Sequence, residues 1–559
     1  MSNPPSHIDD PEPTALASTE APDLPQCPFG DLALTLSGGG YRAAAFHLGA
    51  LDTLNELGLL GGVRVMSTVS GGTLTGLLYA VSIAEHQSYP AFYEKAYDFL
   101  KNTNVIRDAF QTMGAQNSGN LAPFPSLIRS AADVYDSLNV FGGRTFSLLL
   151  NSNEPQLNEL SFNATEFRSG NSFRFQKSQS ALASIGNGRL EVKRELAGQI
   201  RLADIAAASS CFPGGFEPIR FPDDFRWQTE LEGIRDELGR DKFEPCVPLM
   251  DGGIFDNQGV DSLVQTYKRR GNDVGLVIIS DTSQGSDSLF EFPVMVNSSR
   301  RWLTLVNLAK GAWMVFFIAA LTILTLVVDM IKSLGTQGLR LPEDIFLYLV
   351  PLLLSLLVIG LLIWLRLVVR RGLRLVHEKV GIELWASMKD LTVYELIGLL
   401  NGRVSSVLAL TSSVFMKRIR SMIYKDISVY GKYKNRLVIN LIYDLKNTSL
   451  KALFAKAPWL MPSPKLQNLA KRAEAMDTTL WFSNEAELET LVACGRATMC
   501  FNILRYIVGL RGEDLHPDSG ISQVLNRART VWKSFNEPVT SGSKECGDDL
   551  SRRSSTVRN

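Results

Sequence analysis

Ser67-Thr68-Val69-Ser70-Gly71-Gly72 joins an apolar run (Val63, Val65, Val69) to a segment whose apolar residues Leu74, Leu77, Leu78 and Val81 recur at i, i+3, i+4 and i+7. The pattern reads strand, tight turn, serine, helix. Such a turn lifts a hydroxyl clear of the sheet edge and aims the positive end of the following helix at charge developing beside it. Ser70 is therefore the candidate nucleophile. Two residues before it stands Thr68, where an elbow of this kind usually has glycine, and a β-branched side chain leaves less room. On its own the stretch fits an ordinary strand-to-helix turn equally well.

Upstream, LALTLSGGGYRAAAFHLGALDTLNELG predicts a strand over Leu32 to Leu36, a glycine loop, and a helix that ends near Gly58 with Ala44, Leu48, Leu51 and Leu54 as its buried stripe. Gly38, Gly39 and Gly40 leave backbone N–H groups uncovered, fit to approach a phosphate or a tetrahedral oxyanion. The lysine that follows the glycines of a P-loop is missing, which weakens the phosphate reading. Arg42 puts a fixed positive charge near the loop or, alternatively, forms a surface ion pair. Residues 85–160 read as helices and loops that cover the site. SFNATEF and SFRFQ read as short strands, and AAASSCFPGGFEPIRF as a helix end running into a Pro/Gly turn. The run Val247 to Met250 then ends in Asp251 with Gly252 and Gly253 behind it, which frees a carboxylate to point into a cleft; a turn aspartate is the plainer alternative. LVIISD, Leu276 to Asp281, reads as a buried parallel strand.

The chain has 57 basic and 57 acidic residues, so no global field recruits nucleic acid. Its six cysteines form no CxxC pair and lack neighbouring histidines, which predicts reduced thiols and no metal site. Residues 1–28 are polar and proline-rich, with neither the basic nor the apolar region of a secretory signal, and predict a mobile tail. Two uncharged stretches, 311–328 and 345–365, are long enough to cross a hydrocarbon core of about 30 Å. Arg300, Arg301 and Lys310 precede the first; Arg366, Arg370, Arg371, Arg374 and Lys379 follow the second. The loop between them has Lys332 and Arg340 against Asp329, Glu343 and Asp344. The positive-inside rule then predicts an integral membrane protein whose catalytic domain and both termini are cytosolic. The expected organisation is a tail (1–28), a first catalytic part (29–300), a hairpin (301–374), a second catalytic part (375–510) and a polar, partly disordered tail (511–559). The basic, aromatic stretch FMKRIRSMIYKDISVYGKYKNR fits either anionic headgroups or a solvated helix face. A strand is expected at LVINLIYDL, and an N-capped helix beginning near Ser483 with Glu485 and Glu487 in its first turn.

Ester hydrolysis by a serine needs a base for the hydroxyl proton and donors for the oxyanion. Only five histidines exist, and His47, on the helix after the glycine loop, reads as a packed ring, so an aspartate acting directly on the serine becomes attractive. At this point SGGGYRAAAFHLGALDTL, STVSGGTLTG and DGGIFDNQGV, in that order, resemble the oxyanion loop, nucleophile elbow and aspartate motif of the patatin-like phospholipases. The resemblance covers about 30–300 and, more loosely, 375–510. It implies an α/β fold, a three-layer sandwich around a central mostly parallel sheet, here with an inserted two-helix transmembrane hairpin. It implies a Ser–Asp dyad of Ser70 and Asp251 that needs no metal or organic cofactor. The oxyanion hole would be the loop Gly38, Gly39, Gly40, chiefly the amides of Gly39 and Gly40, with Arg42 nearby. The elbow would be Thr68, Gly71 and Gly72, and Gly252 and Gly253 would flank the aspartate. Ser37 departs from the aspartate that commonly opens the patatin loop, and the serine form is similar to that of the cytosolic calcium-dependent phospholipases. The implied activity is cleavage of fatty-acyl esters of phospholipids or related glycerolipids in the bilayer that holds the anchor. The competing reading is a membrane-bound binding or scaffolding protein that keeps the fold without the reaction.

Overall fold

The computed structural model describes residues 27–116, 126–137, 140–243, 246–271, 274–285, 304–336, 345–380, 389–410, 414–430, 433, 435–510 and 519–537. The N-terminal tail to residue 26, the expected tail beyond 537, residues 286–303 with Arg300 and Arg301, and residues 337–344 of the connecting loop lie outside them.

With shorter helices between them, the elements run β1 (Leu32–Leu36), α1 (Gly40–Glu56), β2 (Val63–Val69), α2 (Gly71–Ala84), α3 (Tyr89–Asn102), α4 (Val105–Gln116), α5 (Leu127–Tyr135), β3 (Glu159–Glu166) and β4 (Asn171–Lys177). There follow β5 (Ile185–Gly186), β6 (Glu191–Val192), α6 (Leu202–Ser210), β7 (Ile219–Phe221), β8 (Val247–Asp251), α7 (Val260–Arg269) and β9 (Leu276–Asp281). The later part gives α8 (Leu305–Thr336), α9 (Val350–Val380), α10 (Val393–Ala409), α11 (Phe415–Lys425), β10 (Leu437–Leu441), α12 (Pro464–Ala475), α13 (Glu485–Gly509) and α14 (Gly520–Asn536).

Period-two alternation gives the sheet two apolar faces. In β1, Leu32, Leu34 and Leu36 enter one core while Ala33 enters another; in β9, Leu276 and Ile278 divide from Val277 and Ile279 in the same way. The first core is covered by α1, α2 and α13, the second by α7 and the segment around Ile427 and Tyr433. The result is a mixed α/β sandwich. Strands β10, β9, β1, β2 and β3 pair in parallel, with β4, β5 and β6 continuing antiparallel from β3 and β8 pairing antiparallel with both β3 and β7. Parallel strands buried on both faces need near-continuous apolar runs, which LALTL and LVIISD supply.

Helix α13 has the length and composition of a membrane span, yet most of it is buried in the sandwich. It crosses α1 backbone to backbone: a methyl group at Gly49 would lie 2.0 Å from the Val492 carbonyl oxygen, and one at Gly495 2.0 Å from that of Phe46. It is N-capped near Ser483, as expected: the Asn484 side chain accepts the Glu487 N–H, and the Ser483 N–H is taken by the Glu487 carboxylate. The polar stretch after 511 contains α14. There Val524, Ala528, Val531 and Trp532 make a buried stripe in an otherwise polar helix, and the rings of Trp532 and Phe501 lie 5.6 Å apart.

The chain divides into two compact units, Met1–Ser286 with Met416–Asn559, and Asp287–Phe415. The interrupting unit is thus longer than the hairpin expected at 301–374. Within it, Leu305–Lys332 and Val350–Arg371 are helices long and apolar enough to cross a membrane, and almost none of either is buried. Arg366 lies over the Trp313 ring at 4.8 Å, so the two helices meet side by side. Helix α10 begins at the base of α8, where Leu305 N–H donates to Leu391 O and Val306 N–H to Lys389 O. Its Ile397, Leu400, Val404 and Val407 are all exposed.

Replacing the fully buried Trp532 by alanine is expected to cost about 3–5 kcal/mol, read as a lowered midpoint in urea denaturation. An unchanged midpoint would show that α14 is not part of the fold.

Candidate active site

β1 and β2 lie parallel and pair without interruption from Ala33 opposite Val65 to Leu36 opposite Thr68, so the loops leaving their C-terminal ends emerge together. The contact between those loops leaves no space for side chains. A methyl group at Gly71 would sit 1.9 Å from the Gly40 carbonyl oxygen, and one at Gly72 2.4 Å from that of Leu36. Between β2 and α2, Ser70 takes φ 52°, ψ −122°, a conformation that L-residues avoid. This is the sharp turn that the sequence predicts, and Thr68 does not prevent it.

The aspartate arrives from the other side of β3. Asp251 ends β8 opposite Ala164, its N–H donating to Cys211 O at 2.8 Å and its carbonyl accepting from Thr165 Oγ1 at 2.9 Å. With its backbone held there, the carboxylate accepts the Gly253 N–H on Oδ1 at 2.7 Å and lies close enough to the Ser70 side chain for the serine to favour its charged form. Burial pushes the Asp251 carboxyl up to about 6, against the opposing influence of Ser70 and the Gly253 N–H.

The glycine loop is less uniform than its sequence. Gly38 N–H donates to Asn257 O at 3.0 Å and Tyr41 N–H to Thr479 O at 2.8 Å, which leaves the amides of Gly39 and Gly40 uncommitted among the described residues. Gly38 therefore contributes closeness rather than a donor: a methyl group on it would stand 3.1 Å from Ser70 Cβ. Arg42 is buried, and its one hydrogen bond among the described residues runs from Nη1 to Met476 O at 2.7 Å. Burial lowers its pKa to about 10, with Asp281, Asp477 and Glu474 opposing the shift. Arg42 thus ties the segment around Met476 to the loop.

Ser37 has a structural reason. Its Oγ accepts the Thr282 N–H at 3.0 Å, and Thr282 Oγ1 donates to Gly38 O at 3.0 Å, which fastens the loop to the end of β9. His47 is the packed ring expected. Because Ser37 O can only accept, Nε2–H donates to it at 3.0 Å, which leaves Nδ1 to accept from Ser280 Oγ at 3.1 Å, and burial lowers the ring's pKa to about 4. A neutral imidazole held at both nitrogens does not reach the serine.

Three neighbours escaped the sequence reading. Asn163 and Ser209 are buried polar residues whose partners come from distant segments, and no spacing marks them. Asn257 lies inside the quoted DGGIFDNQGV, and its Oδ1 would be struck by side chains at either Gly38 (2.4 Å) or Gly253 (2.6 Å). Among the described residues, no group of three or more His, Cys, Asp or Glu side chains is placed to hold a metal ion.

A serine on a strained strand-to-helix turn thus has a buried carboxylate near its side chain and two uncommitted amides in the neighbouring glycine loop. Residues 34–264 match the family model of the patatin-like phospholipases, to which this part of the chain is similar. No curated protein matches the chain. Among solved structures it is similar to that of VipD from Legionella pneumophila, with 12% identity, 92% of each chain covered and a TM-score of 0.26.

Gly71→Ala is expected to destabilise the protein by about 1–3 kcal/mol through overpacking, measured by thermal denaturation. Gly61→Ala, where a methyl group would meet nothing within 4 Å, is the control expected to stay within about 0.5 kcal/mol. Equal stability of the two variants would refute the loop-on-loop contact.

Proposed function

We propose that the protein is a membrane-anchored serine acyl hydrolase that cleaves fatty-acyl esters of phospholipids or related glycerolipids. The observation that carries this reading is Ser70 on its strained turn, with the buried Asp251 carboxylate close enough to its side chain for the serine to favour the charged carboxylate. Asp251 takes the hydroxyl proton as Ser70 Oγ attacks the ester carbonyl. The tetrahedral oxyanion lies against the amides of Gly39 and Gly40 and the positive end of α2. Collapse expels the alcohol, which receives the proton from Asp251 and leaves an acyl-Ser70 ester. Water, deprotonated by the same carboxylate, then releases the fatty acid and restores the serine. A carboxyl pKa near 6 makes Asp251 a stronger base than an ordinary carboxylate and, once protonated, a competent acid at neutral pH.

The anchor rests on separate observations. Helices α8 and α9 expose apolar surface along nearly their whole lengths, and the basic residues gather at the ends of the hairpin distant from its connecting loop. The exposed apolar stripe of α10, starting at the base of α8, supports contact with the same bilayer. The catalytic domain and both termini then lie on the cytosolic side, and an insoluble substrate is met by a two-dimensional search.

Ser70→Ala and Asp251→Asn are each expected to abolish fatty-acid release from phospholipid vesicles while leaving the fold and membrane association intact. Product analysis of cells expressing wild type beside Ser70→Ala, with fluorophosphonate labelling of the purified protein, reads this out. Wild-type activity in either variant sinks the dyad.

The pH profile follows from Asp251. The protonated carboxyl cannot accept the Ser70 proton, so the fluorophosphonate labelling rate should fall as pH drops through about 6 and level off above it. A rate independent of pH between about 5 and 8 would remove Asp251 as the base. Membrane association that a carbonate wash disrupts would count against the hairpin as a span.

A further inference from the structure

Thr68 stands where an elbow usually has glycine, and the room it needs comes from the next helix. A methyl group at Gly76 of α2 would lie 2.6 Å from Thr68 Cγ2. The Thr68 hydroxyl, turned the other way, lies 2.9 Å from Thr73 Oγ1, and Thr73 Oγ1 lies 2.8 Å from Ser209 Oγ. Ser209 Oγ also accepts the Ser70 N–H at 2.9 Å and donates to Asn163 O at 2.7 Å. All three hydroxyl-bearing residues, Thr68, Thr73 and Ser209, are fully buried.

One hydroxyl has one proton. That of Ser209 is committed to the Asn163 carbonyl, so Thr73 must donate to Ser209, and Thr68 must donate to Thr73. The chain therefore has a single polarity, from Thr68 through Thr73 and Ser209 to Asn163 O. Asn163 closes the arrangement by donating from Nδ2 to Thr68 O at 2.8 Å and to Ser67 Oγ at 2.9 Å. On the aspartate side, Ser209 O accepts the Gly252 N–H at 3.3 Å and Cys211 O accepts the Asp251 N–H at 2.8 Å. Ser209 thus touches the backbone of the strained serine and the backbone just after the aspartate.

We propose that Ser209 is a positioning residue for Ser70, and that Thr73 and Thr68 orient its hydroxyl. The proposal rests on Ser70 being the nucleophile. At its strained φ/ψ the Ser70 N–H has a side-chain oxygen, not a backbone carbonyl, as its acceptor, and a buried N–H without a partner would draw the turn toward another conformation. Displacement of the nucleophile by a fraction of an ångström moves the attack geometry while the lipid-binding surface stays as it was.

The test separates hydroxyl chemistry from shape. Thr73→Val keeps the volume and loses the donor; Thr73→Ser keeps the donor and loses a methyl group. Thr73→Val is expected to lower kcat and the fluorophosphonate labelling rate about tenfold with KM unchanged, and Thr73→Ser to stay within about twofold of wild type. A packing role predicts the reverse order. That reversal, or wild-type rates in Thr73→Val, overturns the proposal. Amide hydrogen exchange at Ser70 in Ser209→Ala supplies a readout independent of turnover, with exchange expected at least about tenfold faster than in wild type. Unchanged exchange there overturns the proposal even if Thr73→Val fails to fold. Should wild type neither label nor hydrolyse esters, the acyl-hydrolase reading fails by itself, and the exchange comparison still decides whether Ser209 seats Ser70.

Discussion

Backbone rests on backbone where the loop after β1 meets the turn after β2, and the other features of the site follow from that contact. Only glycine at Gly71 lets the turn come within reach of the Gly40 carbonyl. Having come so close, the chain can enter α2 only by bending sharply at Ser70, which therefore takes backbone angles that its side chain disfavours. Strain of this kind, on the order of 1–3 kcal/mol, persists only where the surroundings over-determine it. Here they do so from two sides: Gly40 beneath and the Ser209 hydroxyl on the Ser70 amide.

Burial moves the ionisable groups around this contact in one direction, away from charge. Asp251 is pushed up, His47 and Arg42 are pushed down, and in each case desolvation is the largest cause. A dry environment magnifies whatever dipoles remain, so the two open amides of the glycine loop would act with more force on an oxyanion than amides in water. It also explains why Thr68, Thr73, Ser209 and Asn163 form a closed chain of partners. An unmatched hydroxyl there would cost more than it would at a surface.

Much of this was legible because it is local. Strand, glycine loop and helix over 32–56, the elbow at Ser70 and the strand ending in Asp251 each rest on neighbours within a few residues, and their bounds agree with the periodicity. What was not legible depends on partners far along the chain. Nothing near Gly38 says that its N–H belongs to Asn257, and nothing near Arg42 points to Met476, 434 residues later. The length and apolar character of α13 would pass for a membrane span; the close approach to α1 at Gly49 and Gly495 helps to make it a core helix. The stripe of α14 is diluted by polar residues, so composition alone read it as part of a tail. Thr68 was the position where motif and sequence disagreed, and Gly76, eight residues on, removes the conflict by sterics that no motif states.

Sequence order also sets a schedule. The carbonyl of Thr479 that receives the Tyr41 amide, the Met476 carbonyl that holds Arg42, and α13 against α1 all follow α8 and α9 in the chain. As the protein emerges from the ribosome, the serine, the glycines and the aspartate are made first and the pieces that close around the glycine loop last. A newborn chain cannot complete this site until both apolar helices have already been synthesised.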